Sequence, residues 1–152
     1  FERAALLARR LVEIAVAQCT FGVLHGLAGT VELAGRAHAE LLHATAQPDA
    51  VKAVQARLGV ERAGALVEQT LARIALGLVA RGVGQLVVAG GETSGACVQA
   101  LGVRSLRIGA QIDPGVPWCH AEAEGGPALH LALKSGNFGG PEFFDKAFEV
   151  LR

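Results

Sequence analysis

At 152 residues the chain is long enough to bury a core, and it is read as a single domain over residues 1–152. Its 14 basic and 14 acidic residues cancel, which excludes a protein that finds nucleic acid or another polyanion by charge. Six Phe, one Trp and no Tyr leave no stacking surface for single strands either.

The longest stretch without a formal charge, Ile14 to Val31, contains Gln18, Thr20, His25 and Thr30 and three glycines. That is too polar for a bilayer span and reads as a buried helix end and a turn, so no membrane partner is expected. No signal peptide is visible. The chain contains no methionine, and it is expected to be a piece of a larger protein. Its three cysteines, Cys19, Cys97 and Cys119, are widely spaced with no CxxC pair. They read as small apolar fillers of a reduced, cytoplasmic protein. Cys119-His120 has no second ligand pair at zinc spacing, so no metal site is assigned.

In chain order, Glu2 to about Gln18 reads as a helix with Leu7, Leu11 and Ile14 in one stripe. Gly22, Gly26 and Gly29 break that pattern, and a second helical stretch follows from about Val31 to Glu40. Leu41 to Thr45 fits the end of that helix or a short strand. Pro48 and Asp49 suit the first turn of a new helix, and Gly59 its end. Glu61 to Arg81 is the clearest helix, with Val67, Leu71, Ile74 and Leu78 facing inward and Gly82 as its stop.

Beyond Gly82 the period changes. Gln85 to Ala89 is a short apolar strand, Ser94 to Leu101 a short helix, Ser105 to Ile108 a strand and Leu129 to Leu133 another. Gln111 to Gly126, rich in Pro, Gly and Glu, reads as a surface excursion. Pro141 suits the first position of a last helix, whose stripe is Phe144, Ala147, Phe148 and Leu151. Strands alternating with helices predict a layered α/β/α domain with a mostly parallel sheet and glycine loops at the strand carboxyl ends. In such sheets ligands bind beyond those ends.

Two runs stand at such positions. In the first, Gly90-Gly91-Glu92-Thr93-Ser94-Gly95, two glycines allow close backbone approach, and hydroxyls and helix N–H groups follow. It has no lysine where a Walker A sequence needs one, and it is not GxGxxG. A tight strand-to-helix turn also accounts for the glycine pair. Glu92 fits a magnesium or ribose ligand, or simply an acid favoured by a helix N-terminus. The second run, Lys134-Ser135-Gly136-Asn137-Phe138-Gly139-Gly140-Pro141, offers a cation, a hydroxyl and an amide, although Asn137 also suits a left-handed turn. Between them, Ile112-Asp113-Pro114-Gly115-Val116-Pro117-Trp118 reads first as a proline-restricted turn, with Asp113 as a metal ligand the lesser reading and Trp118 as an anchor. His25, His38, His43, His120 and His130 share no spacing, and no Ser-His-Asp set stands out.

Taken in order, Val87 to Ala96, Gln99-Ala100-Leu101-Gly102-Val103, Ile112 to Trp118 and Ala132 to Pro141 closely resemble the C-terminal, nucleotide-binding domain of the four-carbon acid sugar kinases. Within that family the likeness is greatest to the 3-oxo-tetronate kinases. It is strong from about Gln85 to Arg152 and extends back to about Ala44; residues 1–43 are not placed by it. The resemblance implies an ATP-dependent enzyme that uses a divalent metal, Mg2+, to phosphorylate a terminal hydroxyl of a four-carbon sugar acid. It implies that Gly90, Gly91, Glu92 and Thr93 line the ATP site, with Gly136 facing them and Ser135 and Asn137 beside it. The family's acidic N-terminal motif and substrate domain have no counterpart here. The chain is therefore expected to carry half of an active site and to be inactive alone, with the catalytic base and metal ligands unassigned. Homo-oligomer formation is compatible with this reading. A non-catalytic nucleotide-binding or interaction module is the alternative. A nicotinamide oxidoreductase is disfavoured, because no acid ends the strand Ser105 to Ile108.

Overall fold

The computed structural model describes residues 13–17, 29–32, 39–44, 46–123, 126, 128–136 and 138–151. Seven strands form one sheet: β1 (Glu13–Ala17), β2 (Gly29–Glu32), β3 (Ala39–His43), β4 (Gln85–Ala89), β5 (Val103–Asp113), β6 (Val116–Ala123) and β7 (Leu129–Lys134). Their spatial order is β2-β3-β1-β4-β7-β6-β5. The helices are α1 (Pro48–Leu58), α2 (Val60–Val79), α3 (Gly91–Ala100) and α4 (Phe143–Glu149).

The α/β class is as expected, but the sheet is mixed. β1 pairs in parallel with β3 and β4, and β4 with β7. The junctions β2–β3, β5–β6 and β6–β7 are antiparallel. The reason is β6, which the Pro- and Glu-rich composition disguised as a surface excursion. With that strand in place, β5, β6 and β7 run as a meander, so neighbouring strands must alternate in direction. The expected helix from Glu2 to Gln18 is also corrected: Glu13–Ala17 is a strand. The helical reading of Val31 to Glu40 fails at both ends, where β2 and β3 lie. The remainder of those two segments, with Cys19, His25 and His38, lies outside the described residues.

α2 and α3 cover one face of the sheet. α2 buries Ala63, Val67, Leu71, Ala75 and Val79, spaced one turn apart; the last four pack with Leu86 and Val88 of β4, Leu131 of β7 and Cys97 of α3 in one cluster. Val67 and Leu71 face inward as expected, while Ala75 and Val79 take the buried places expected of Ile74 and Leu78, which are half-buried. α4 covers the other face. Phe143, Ala147 and Phe148 pack with Val87, Ala132 and Trp118. Trp118 Nε1 donates to the Ala147 carbonyl oxygen at 2.7 Å, so the indole is buried with its polar atom satisfied. α4 begins at Phe143, and Pro141 sits in the turn before it. Burying Trp118, Phe143 and Phe148 contributes about 2–3 kcal/mol each before entropy is charged against it.

The layered arrangement carries β4 and β7 side by side through the middle of the sheet with both faces covered. Their carboxyl ends therefore emerge together at one edge of the layers, and each opens into a glycine-rich loop.

Candidate functional site

β4 ends at Ala89 and the chain turns through Gly90, whose φ of 114° is open to glycine and rarely to any residue with a Cβ. α3 starts at once. Ser94 N–H donates to the Gly90 carbonyl at 2.8 Å, the first intrahelical bond. The N–H groups of Gly91 and Glu92 come ahead of it and have no helical carbonyl to bind, which leaves the positive end of α3 facing outward. Ser94 Oγ turns inward to the Val88 carbonyl at 3.4 Å and pins the helix start to β4.

β7 delivers the second loop. In the register Ala89 lies opposite Lys134, and Gly90 N–H donates to the Lys134 carbonyl at 2.8 Å. The two loops are thus joined at their roots by a backbone hydrogen bond. Lys134 Nζ reaches over its own loop to the Gly136 carbonyl at 2.9 Å and stands 5.8 Å from the Phe143 ring centroid. Its charge is held beside the loops by a carbonyl and an aromatic face, and among the described residues no carboxylate pairs with it.

The expected site residues fall into three groups. Gly90, Gly91 and Glu92 of the first loop and Ser135 and Gly136 of the second come to the same end of the sheet; all but the half-buried Gly90 are exposed. Thr93 belongs to the same turn, but its side chain is wholly buried, so an approaching ligand meets the turn's backbone and not that hydroxyl. Asn137 lies outside the described residues. A Cβ built on Gly91 or on Gly140 meets nothing within 4 Å, so space stands open in front of both loops. That space and the outward N–H groups suit phosphate oxygens. Among the described residues no group of three or more His, Cys, Asp or Glu side chains is placed to hold a metal ion.

One member of the site has a part that the sequence does not mark, since its motif reads there as a turn and its acid at most as a metal ligand. Asp113, at the end of β5, accepts the Gly140 N–H on Oδ2 at 3.2 Å and pairs through Oδ1 with Lys146 of α4. The hydrogen bond and charge of Lys146, with the Gly140 bond, hold its carboxyl below the ordinary carboxylate range. The Pro114-Gly115 turn was legible; that its flanking acid reaches 27 residues ahead was not, because no local pattern encodes such a contact.

Other titratable groups stand apart. Burial pushes the Cys97 thiol up to about 11 and raises Cys119 as well, so both are protonated fillers at neutral pH. His120 and His130 face each other across β6 and β7 with ring centroids 5.3 Å apart. Burial, then the neighbouring His120, lowers the His130 pKa. His130 is in register with Gln85 at the amino end of β4, the end remote from the loops. An open groove of about 440 Å³ runs along α2 between Arg73 and Arg81 and includes no glycine-loop residue.

Fold and loops together define a class: a layered α/β domain that gathers backbone donors, and a lysine beside them, at the carboxyl ends of two adjacent parallel strands, an arrangement that suits phosphate oxygens. The model of the family described as the nucleotide-binding C-terminal domain matches residues 3–144, and the chain belongs to that family. It is 66% identical over 118 residues to a 3-oxo-tetronate kinase of Cupriavidus necator, covering 78% of this chain and 27% of the relative. It is 68% identical over 111 residues to a 3-oxo-tetronate kinase of Burkholderia multivorans, covering 73% of this chain and 26% of the relative. The chain thus spans about a quarter of the length of these curated relatives. A crystal structure of a Haemophilus influenzae protein superposes with a TM-score of 0.65 at 44% identity, over 76% of this chain and 27% of the other. A Bordetella bronchiseptica protein, crystallised with citrate as a domain-swapped dimer, shares the fold at a TM-score of 0.56 and 21% identity, over 75% of this chain and 26% of the other. Among the described residues no helix is long and apolar enough to cross a membrane.

Proposed function

We propose that this chain is the ATP-binding half of a cytoplasmic kinase that phosphorylates a four-carbon sugar acid of the 3-oxo-tetronate type. The observation that carries the reading is the Gly90–Lys134 backbone bond, which sets a helix N-terminus and a lysine-bearing glycine loop side by side. Family membership and the names of the relatives support it.

In this reading the N–H groups of Gly91 and Glu92 hold phosphate oxygens of the nucleotide. Ser135 and Gly136 close over them from β7, and Lys134 supplies the counter-charge by leaving the Gly136 carbonyl for the phosphates. Phosphoryl transfer depends on positioning and charge stabilisation, and these residues supply the nucleotide side of both. Mg2+ bound with the nucleotide spreads the charge that develops on the transferred group. Of the residues in the two loops, Glu92 would be the carboxylate available to help hold that ion. The sugar acid and the base that activates its hydroxyl belong to the part of such kinases that this chain does not span, so the chain alone turns nothing over.

Calorimetry with Mg·ADP and Mg·ATP tests the reading. Saturable binding by the wild-type chain, weakened at least tenfold in Gly91→Val with the fold intact, is the expected result. A folded wild-type chain that binds neither nucleotide contradicts it.

A further inference from the structure

The second glycine loop is held in part from outside itself. Gly139 has a φ of +82°; Phe138 N–H to the Ser135 carbonyl at 3.1 Å and Phe143 N–H to the Gly140 carbonyl at 3.1 Å close two turns, and Lys134 Nζ bonds the Gly136 carbonyl at 2.9 Å. Between those two turns the backbone is fixed from outside, by the β5–β6 turn. The Phe138 ring lies over Gly115, so close that a Cβ there would come within 2.8 Å of it. The Asp113 carboxylate takes the Gly140 N–H on one oxygen and the Lys146 ammonium on the other.

We propose that Asp113 is the positioning residue of the nucleotide site: its carboxylate latches Gly140 and thereby steadies the foot of the β7 loop for phosphate. The inference rests on the nucleotide reading above. Asp113 touches no ligand itself. It sits only 13% exposed behind the loop, with both oxygens engaged by protein groups. A carboxylate suits this post because it accepts two bonds at once, and charge-assisted bonds are roughly twice as strong as neutral ones. The motif Ile112 to Trp118 thus serves the site as its scaffold: Asp113 latches, Gly115 seats Phe138, and Trp118 fastens α4.

The test compares Mg·ADP affinity and urea stability in Asp113→Ala, Asp113→Asn and Lys146→Met. Asn keeps an acceptor for Gly140 N–H, and Lys146→Met leaves the carboxylate bond to it. Both are expected to bind within about threefold of wild type although both lose the ion pair. Asp113→Ala is expected to weaken binding at least tenfold while matching Asp113→Asn in stability. A merely structural role would make affinity follow stability across the series. Asp113→Ala binding within twofold of wild type overturns the latch, as does an equal loss in all three variants. No binding by the wild type overturns the nucleotide reading and the latch with it. Should Asp113→Ala fail to fold, amide exchange on the wild-type chain decides: slow exchange at Gly140 is expected, and exchange at the free-peptide rate overturns the proposal.

Discussion

The Gly90 N–H donates to the Lys134 carbonyl at 2.8 Å, tying the first residue beyond β4 to the last residue of β7. The bond extends the parallel β4–β7 ladder one step past the strand ends, so neither loop can move without the other. Loops that must grip one ligand from two sides gain from such a joint, because the cost of aligning them is met in folding and not in binding.

Removing the cation beside that joint is the simplest probe of it. Lys134→Ala is expected to weaken Mg·ATP about tenfold and adenosine hardly at all, because the ammonium serves the phosphates. The residual affinity should also depend less on salt than in the wild type. Parallel titrations of the two ligands at two ionic strengths check both statements.

Gly139→Ala is expected to destabilise by about 2–4 kcal/mol. Its φ is +82°, and a Cβ would stand 2.5 Å from Cδ2 and 2.8 Å from Cγ of Phe143, whose ring is locked in the core. Gly102→Ala makes the control: φ is +65° but nothing lies within 4 Å, so only the backbone term remains, about 1 kcal/mol. Urea midpoints at constant slope separate the two.

Trp118→Phe is expected to cost about 2–3 kcal/mol. It removes the bond to the Ala147 carbonyl and leaves a gap where β6, β7 and α4 meet. Unfolding monitored by far-UV dichroism checks it.

Two of the described groups contribute to the acid limb of stability. The His130 pKa is lowered in the folded chain, so near pH 6 the unfolded chain binds more protons and stability falls as pH drops through about 6.5, the ordinary histidine value. His130→Gln is expected to flatten the midpoint-versus-pH curve there. The Asp113 carboxyl is also lowered, so its contribution is present above about pH 4 and fades as pH falls below that, and Asp113→Asn removes this second limb. Thermal midpoints measured between pH 3 and pH 8, on the order of ten points, resolve the two.

Much of this was legible in the sequence, for identifiable reasons. β4 and α2 stood out because a short apolar run and a long 3.6-residue stripe are hard to confuse. β1 was misread because Leu7, Leu11 and Ile14 lie at helical spacing, while the pairing that makes Glu13–Ala17 a strand is with Ala39–His43 and Gln85–Ala89, far along the chain. β6 was missed because it is covered on both faces. Trp118 points to α4 and Ala121 to the α2 side, so no polar–apolar alternation marks it. Pro117 is tolerated there because β7 pairs only from Trp118 onward and the β5 register is irregular beside it. The glycine loops were found as motifs, but the Asp113 latch exists only once the fold brings the β5–β6 turn to the β7 loop.

The most direct test of the central claim is a titration of the isotopically labelled chain with Mg·ADP, read at its backbone amides. The account predicts saturable shifts concentrated at Gly90, Gly91 and Glu92 and at Ser135, Gly136 and Gly140, with the groove residues from Thr70 to Arg81 unmoved. Saturable shifts confined to the α2 groove, or none at any amide, would contradict it.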